Sequence, residues 1–215
     1  MLRSTPPLLV LLLAACASRG TTAALSSVGG TAGKLPPLGP VPSGVTVNTQ
    51  MREYPVTGAT VTDLRREMLS AGPTAQGVRY PGATHWNVRW TYQYDRQVLR
   101  CALRDIRAIV DVRVEVPRWK PSTAPDSGVV GWWEVFQSRL IAHEHGHVRV
   151  AVDAGGAIVD ALRLLSGGAC DALGIQANAI GQNLLAKARE RQAAYDHDTR
   201  HGTIPAEGAP PPPGT

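Results

Sequence analysis

The clearest signal in the chain is an alternation of apolar and polar positions. In THWNVRWTYQY (residues 84–94), Trp86, Val88, Trp90, Tyr92 and Tyr94 alternate with polar residues, which predicts a strand with one buried face. LRCALRDIRAIVDVRVEVP (residues 99–117) predicts a second long strand. Val110, Val112, Val114 and Val116 share one of its faces, Asp111, Arg113 and Glu115 share the other, and Pro117 is expected to end it. Residues 95–97 are placed to turn the chain between the two. VTVNT (residues 45–49) reads as a shorter strand that residues 54–57 extend. Thr62 followed by DLRREMLSAG reads as a capped helix ending at Gly72. From about residue 129 to 165 the period becomes helical, with Phe136, Leu140, Val150, Ala154, Ile158 and Leu162 on one stripe. Gly155 and Gly156 are placed to bend or interrupt that helix, SGG (residues 166–168) breaks it, and a last helix is expected over about residues 170–195. No internal repeat is present. Strands first and helices after predict an α+β domain: a small antiparallel sheet, a long helix and a C-terminal helix.

Composition adds a location. The 215 residues are 43% hydrophobic, enough for one domain with a core and tails. The net charge of +5 comes without lysine or arginine runs interleaved with aromatics, which argues against a nucleic-acid partner. Near the N-terminus Arg3 precedes LLVLLLAA, an apolar run too short to span a bilayer. It ends in LAAC (residues 13–16), which resembles the bacterial lipobox. That resemblance implies a signal peptide over residues 1–16, with Cys16 lipidated and the exported chain held to a membrane. The other reading is an ordinary secretory signal cut near Ala17. By resemblance to Gram-negative sorting rules, alanine at position 17 favours the periplasmic face of the outer membrane. Residues 17–41 read as a flexible tether, 42–202 as the domain and 203–215 as a disordered Pro-rich tail. In an oxidising compartment Cys101 and Cys170 are expected to form a disulfide, two buried free thiols being the alternative.

The candidate chemistry lies in HEHGH (residues 143–147), which fits H-E-x-x-H. Histidines four apart on a helix lie about 40° apart around its axis, so His143 and His147 can bind one zinc ion. Both fall on the apolar stripe, so a metal there sits between the helix and the rest of the domain. Glu144, turned to the side, can serve as a general base toward a metal-bound water without being a ligand. His145 reads as a surface residue.

The third ligand is less direct. Val150 and Asp153 occupy the positions where a metzincin continuation needs glycine and histidine, and Asp160 and Asp171 fit no thermolysin-like pattern. YDHDTRHG (residues 195–202), following the last helix, holds Asp196, His197, Asp198 and His201, with a glycine after His201 to turn the chain. It supplies either a ligand or a plain polar loop.

Through THWNVRW, the Cys101 strand ending in PRW, WWEVFQSRLIAHEHGH and YDHDTRHG, the chain resembles a family of predicted secreted bacterial zinc-dependent proteases long classed as a domain of unknown function. The resemblance covers most of residues 42–202, including a closing Y-D-x-x-T-x-H-G pattern. It implies a zincin-like metallopeptidase, with His143 and His147 as ligands, Glu144 as catalytic base and His201 as third ligand, Asp196 being the alternative. Tyr195 is then either a hydrogen-bond donor to the oxyanion or a core residue. A zincin lays a sheet edge beside its site to bind an extended peptide. The strand carrying Val110 to Val116 is the candidate for that edge.

These readings converge on a zinc-dependent hydrolase of peptide bonds in the cell envelope. Two rivals remain: a lipid-anchored structural or binding module with a non-catalytic zinc site, and a peptidoglycan amidase.

Overall fold

The computed structural model describes residues 35–75, 77–96 and 100–202. The expected signal peptide, Cys16, most of the tether and the Pro-rich tail lie outside these residues, as does position 97 of the expected turn. Strand β1 (Val45–Val56) leads to helix α1 (Val61–Ala71) and a small hairpin of β2 (Thr74–Ala75) and β3 (Val78–Arg79). Two long strands follow, β4 (Ala83–Arg96) and β5 (Cys101–Trp119), then two long helices, α2 (Ser127–Arg163) and α3 (Cys170–Thr199). The architecture is α+β, as expected.

The main sheet has the order β1-β5-β4. β4 and β5 pair antiparallel, but β1 runs parallel to β5, so the sheet is mixed rather than purely antiparallel. The excursion through α1 and the hairpin reverses the chain before β4, so β5 returns in the direction of β1. β5 is therefore the central strand, hydrogen-bonded on both sides. The expectation that it offers a free edge to a substrate is wrong; β4 is the edge that borders the site. Pro117 does not end β5, which continues to Trp119. β4 pairs β5 only as far as Glu115, opposite Ala83, so Pro117 has a neighbour on one side alone and its missing N–H is tolerated.

The alternation places the sheet faces as the sequence suggests. Val110, Val112, Val114 and Val116 are buried under α2, beside Val88 of β4. The outer face carries Asp111, which accepts hydrogen bonds from Asn48 at 2.8 Å and Arg89 at 2.8 Å. α2 runs 37 residues without a break, although Gly155 and Gly156 lie within it. Both glycines are buried at crossings: a Cβ on Gly155 would stand 2.8 Å from Val110, and one on Gly156 2.8 Å from Pro42. They bring neighbours close instead of bending the helix. The cap of α1 is Thr60 rather than Thr62, its hydroxyl accepting from the Asp63 N–H at 3.1 Å.

α3 lies on α2 and on the aromatic row of β4. A Cβ on Gly181 would stand 2.4 Å from the Trp90 ring, and one on Gly174 2.2 Å from the Tyr94 hydroxyl. Cys101 and Cys170 form the expected disulfide, tying the start of β5 to the start of α3 across 69 residues. On chain-entropy grounds a loop of that size stabilises by about 4 kcal/mol. The described end of the expected tether also packs: Leu35 and Leu38 join the core and Arg149 donates to the Leu38 carbonyl at 2.8 Å.

Candidate metal centre

His143, Glu144 and His147 project from the middle of α2 and are all buried. Asp196 faces them from the last turn of α3, which continues beyond Tyr195 to Thr199. YDHDTRHG is thus mostly helix rather than a following loop, because nothing between Cys170 and Thr199 interrupts the helical bonding. The break comes at Arg200, His201 and Gly202, all with positive φ.

The hydrogen bonds determine which imidazole nitrogens are free. The Thr199 hydroxyl donates to the Tyr195 carbonyl at 2.6 Å, so its oxygen accepts from His143 Nδ1–H at 3.1 Å. The Gln192 amide nitrogen donates to the His147 carbonyl at 3.0 Å, and its amide oxygen accepts from His147 Nδ1–H. Both rings therefore carry their proton on Nδ1 and point an Nε2 lone pair inward. The two Nε2 atoms are 3.1 Å apart. Asp196 Oδ1 stands 3.0 Å from His147 Nε2 and 3.2 Å from His143 Nε2. Three acceptors this close repel one another unless a cation lies between them. The spacing matches the edge of a tetrahedron with bonds of about 2.0 Å, which is about 3.3 Å. This His-His-Asp triad could hold a metal ion.

The titration of these groups follows from their contacts. Without a cation, a proton on Nε2 takes its place: burial raises the Asp196 carboxyl, but the hydrogen bonds it then accepts from His143 and His147 outweigh this and hold it far below the usual carboxylate range. Burial lowers His147, but the Asp196 hydrogen bond and nearby negative charge outweigh it, and the net direction is upward. Burial raises Glu144, only partly offset by the Thr84 hydroxyl, which donates to Glu144 Oε2 at 2.7 Å.

The other expected site residues fall around this core. His201 stands beside the triad: its Nδ1 is 3.4 Å from Asp196 Oδ1, its side chain is 53% exposed, and its ring packs on Tyr80 with centroids 5.1 Å apart. Asp196, itself half-buried, is thus the third member of the triad, and His201 approaches it from the solvent side. His197 and Asp198 are exposed and contact each other at 3.2 Å. The Tyr195 ring stacks on His143 with centroids 5.1 Å apart and meets His147 edge-on at 5.0 Å. A Cβ on Gly146 would stand 2.2 Å from the Tyr195 hydroxyl, so the glycine of HEHGH makes room for this ring. The hydroxyl rests on the α2 backbone, and Tyr195 does not line the cleft that holds the triad. His145 is half-buried, not a surface residue.

That cleft has a volume of about 390 Å³ and is walled by Gly82, Ala83, Thr84 and Trp86 from the β4 side. A match to the family model described as bacterial protein of unknown function (DUF922) covers residues 51–202, from β1 through Gly202. The chain belongs to this family. It therefore shares a domain with other bacterial proteins, and HEHGH, Asp196 and His201 all lie within that domain. No curated protein and no solved structure shows significant similarity to it.

Three contributors were missed in the sequence: Gln192, Thr199 and Thr84. Gln192 and Thr199 lie four before and three after Asp196, the spacing of one helix face, so a helix carried past Tyr195 would have grouped them. Thr84 reaches Glu144 from 60 positions away, and no local pattern marks it.

Proposed function

We propose that this chain is a zinc-dependent hydrolase that cleaves peptide bonds in the cell envelope. The observation that carries the reading is the pairing of a triad of unprotonated donors with a buried, non-ligating glutamate in an open cleft. Zinc fits the donors, two imidazole nitrogens and one carboxylate oxygen, and when bound it would lower the pKa of a coordinated water and polarise a carbonyl. His143, His147 and Asp196 would hold it. Gln192 and Thr199 orient the two imidazoles. Glu144, its carboxyl raised by burial, accepts the proton of the attacking water and returns it to the departing amine. Thr84 holds that carboxylate at Oε2. The β4 edge beside Gly82 and Thr84 is where an extended substrate can add as a strand. Export and lipidation at Cys16 rest on the LAAC sequence. Among the described residues no helix is long and apolar enough to cross a membrane.

A non-catalytic site is favoured only by the placement of His201, which could close a fourth position beside Asp196. Metal content and hydrolysis, measured together, decide between them. About one zinc per chain is expected in the full-length protein, with loss in Asp196→Asn and retention in His201→Ala, and the zinc-loaded chain cleaves unfolded protein substrates. Metal bound by wild type without any hydrolysis, together with metal loss in His201→Ala, would establish the structural site instead.

A further inference from the structure

Next to the metal cleft, α1 and α2 enclose a second cavity of about 490 Å³. Met68 and Leu69 form one wall, and Trp132, Val135 and Phe136 the other. The two cavities share Pro81, Leu140 and His201, so the second opens directly beside the triad. Its lining is mostly apolar, and Leu69 and Val135 remain 55% and 42% exposed, a cost in contact with water that an apolar occupant removes. Trp132 and Phe136 are stacked with centroids 5.1 Å apart, which gives the wall a rigid aromatic face. Two cations, Arg65 and Arg139, also line the cavity, and among the described residues no carboxylate does. Arg65 lies over the Trp132 ring at 5.3 Å.

We propose that this cavity is the specificity pocket of the enzyme, taking a large aromatic or aliphatic side chain of the substrate residue beside the scissile bond. The inference rests on the hydrolase reading, because it assumes that a polypeptide crosses the triad. The occupant follows from continuity with the metal cleft: a backbone lying over His143 and Asp196 directs one side chain past Leu140 and Pro81 into the cavity. The apolar walls reward phenylalanine or leucine, and the two arginines repel lysine and arginine. The substrate class is therefore protein or peptide rather than cell-wall cross-links. Wall stem peptides carry alanine and charged residues, none of which fills such a cavity.

The test uses the full chain loaded with zinc and a peptide series varied at one position at a time, with cleavage rates and sites determined. Binding of the same peptides is measured in parallel by calorimetry. Phenylalanine or leucine at one position flanking the cut is expected to exceed alanine in kcat/KM by about tenfold or more. Lysine at that position is expected to fall below alanine, and Arg139→Glu to raise it. Val135→Trp, which fills the cavity from an exposed wall position, is expected to abolish the preference while zinc content is unchanged. Cleavage without preference at any position, unaffected by Val135→Trp, overturns the pocket while leaving the hydrolase intact. Selective binding of phenylalanine peptides that are never cut keeps the pocket and overturns the hydrolase. Neither binding nor cleavage overturns both.

Discussion

Replacing Glu144 by glutamine keeps the shape of the side chain and its contact with Thr84 but removes the base. Hydrolysis is expected to fall by about two to four orders of magnitude with zinc content unchanged, as measured by single-turnover cleavage beside metal analysis. Gln192 offers a different separation. Its amide oxygen holds the His147 Nδ1 proton, so Gln192→Leu frees the ring to rotate or change tautomer. Zinc affinity is expected to drop by about 10–100-fold in a competitive chelator titration, with the fold retained. At this scale the histidines and Glu144 were legible, because four-residue spacing on a helix is a local property. Asp196 was visible only as one of several possible ligands, since choosing it over His201 depends on where α3 ends.

At the scale of elements, the site depends on the contact between α3 and the rest. α3 carries Asp196, Gln192 and Thr199, and its distance from β4 is governed by Gly181 against Trp90. Gly181→Val forces the helix or the indole to move and is expected to destabilise the protein by about 1–3 kcal/mol in urea denaturation. It is also expected to weaken zinc binding, because the three α3 residues shift together relative to α2. The three strands of the main sheet and both long helices were readable in the sequence, but the β2–β3 hairpin was not, and α3 runs four residues further than expected. The sheet order was not: hydrophobic alternation says which face of β5 is buried, and says nothing about whether its neighbours lie on one side or both.

At the scale of the whole molecule, the triad couples folding to pH in opposite senses with and without metal. Without metal, the depressed Asp196 carboxyl contributes stability above its unfolded value and loses it as pH falls through the folded one. The raised His147 contributes stability below its unfolded value and loses it as pH rises through the folded one. The metal-free pair therefore stabilises most in weakly acid solution. Zinc requires both Nε2 atoms unprotonated, so its stabilisation grows as pH rises. Thermal melts are expected to show a larger zinc-induced rise in Tm at about pH 8 than at about pH 5.5, since imidazole titrates near pH 6.5. Asp196→Asn is expected to abolish both trends.

The sequence by itself determined what depends on neighbours within a few turns of chain: the strands of the main sheet and the helices, their buried faces, and the presence of two inward histidines with a glutamate between them. The family resemblance added the closing motif on α3. Tertiary structure alone decided the parallel return of β1, the partnership of Asp196 with the two Nε2 lone pairs, and the use of Gly146 as space for Tyr195. It also decided that Thr84 holds Glu144 and that an apolar cavity opens beside the cleft. Each of these is set by contacts between segments far apart in the chain, where side-chain period carries no information and only packing assigns the partner.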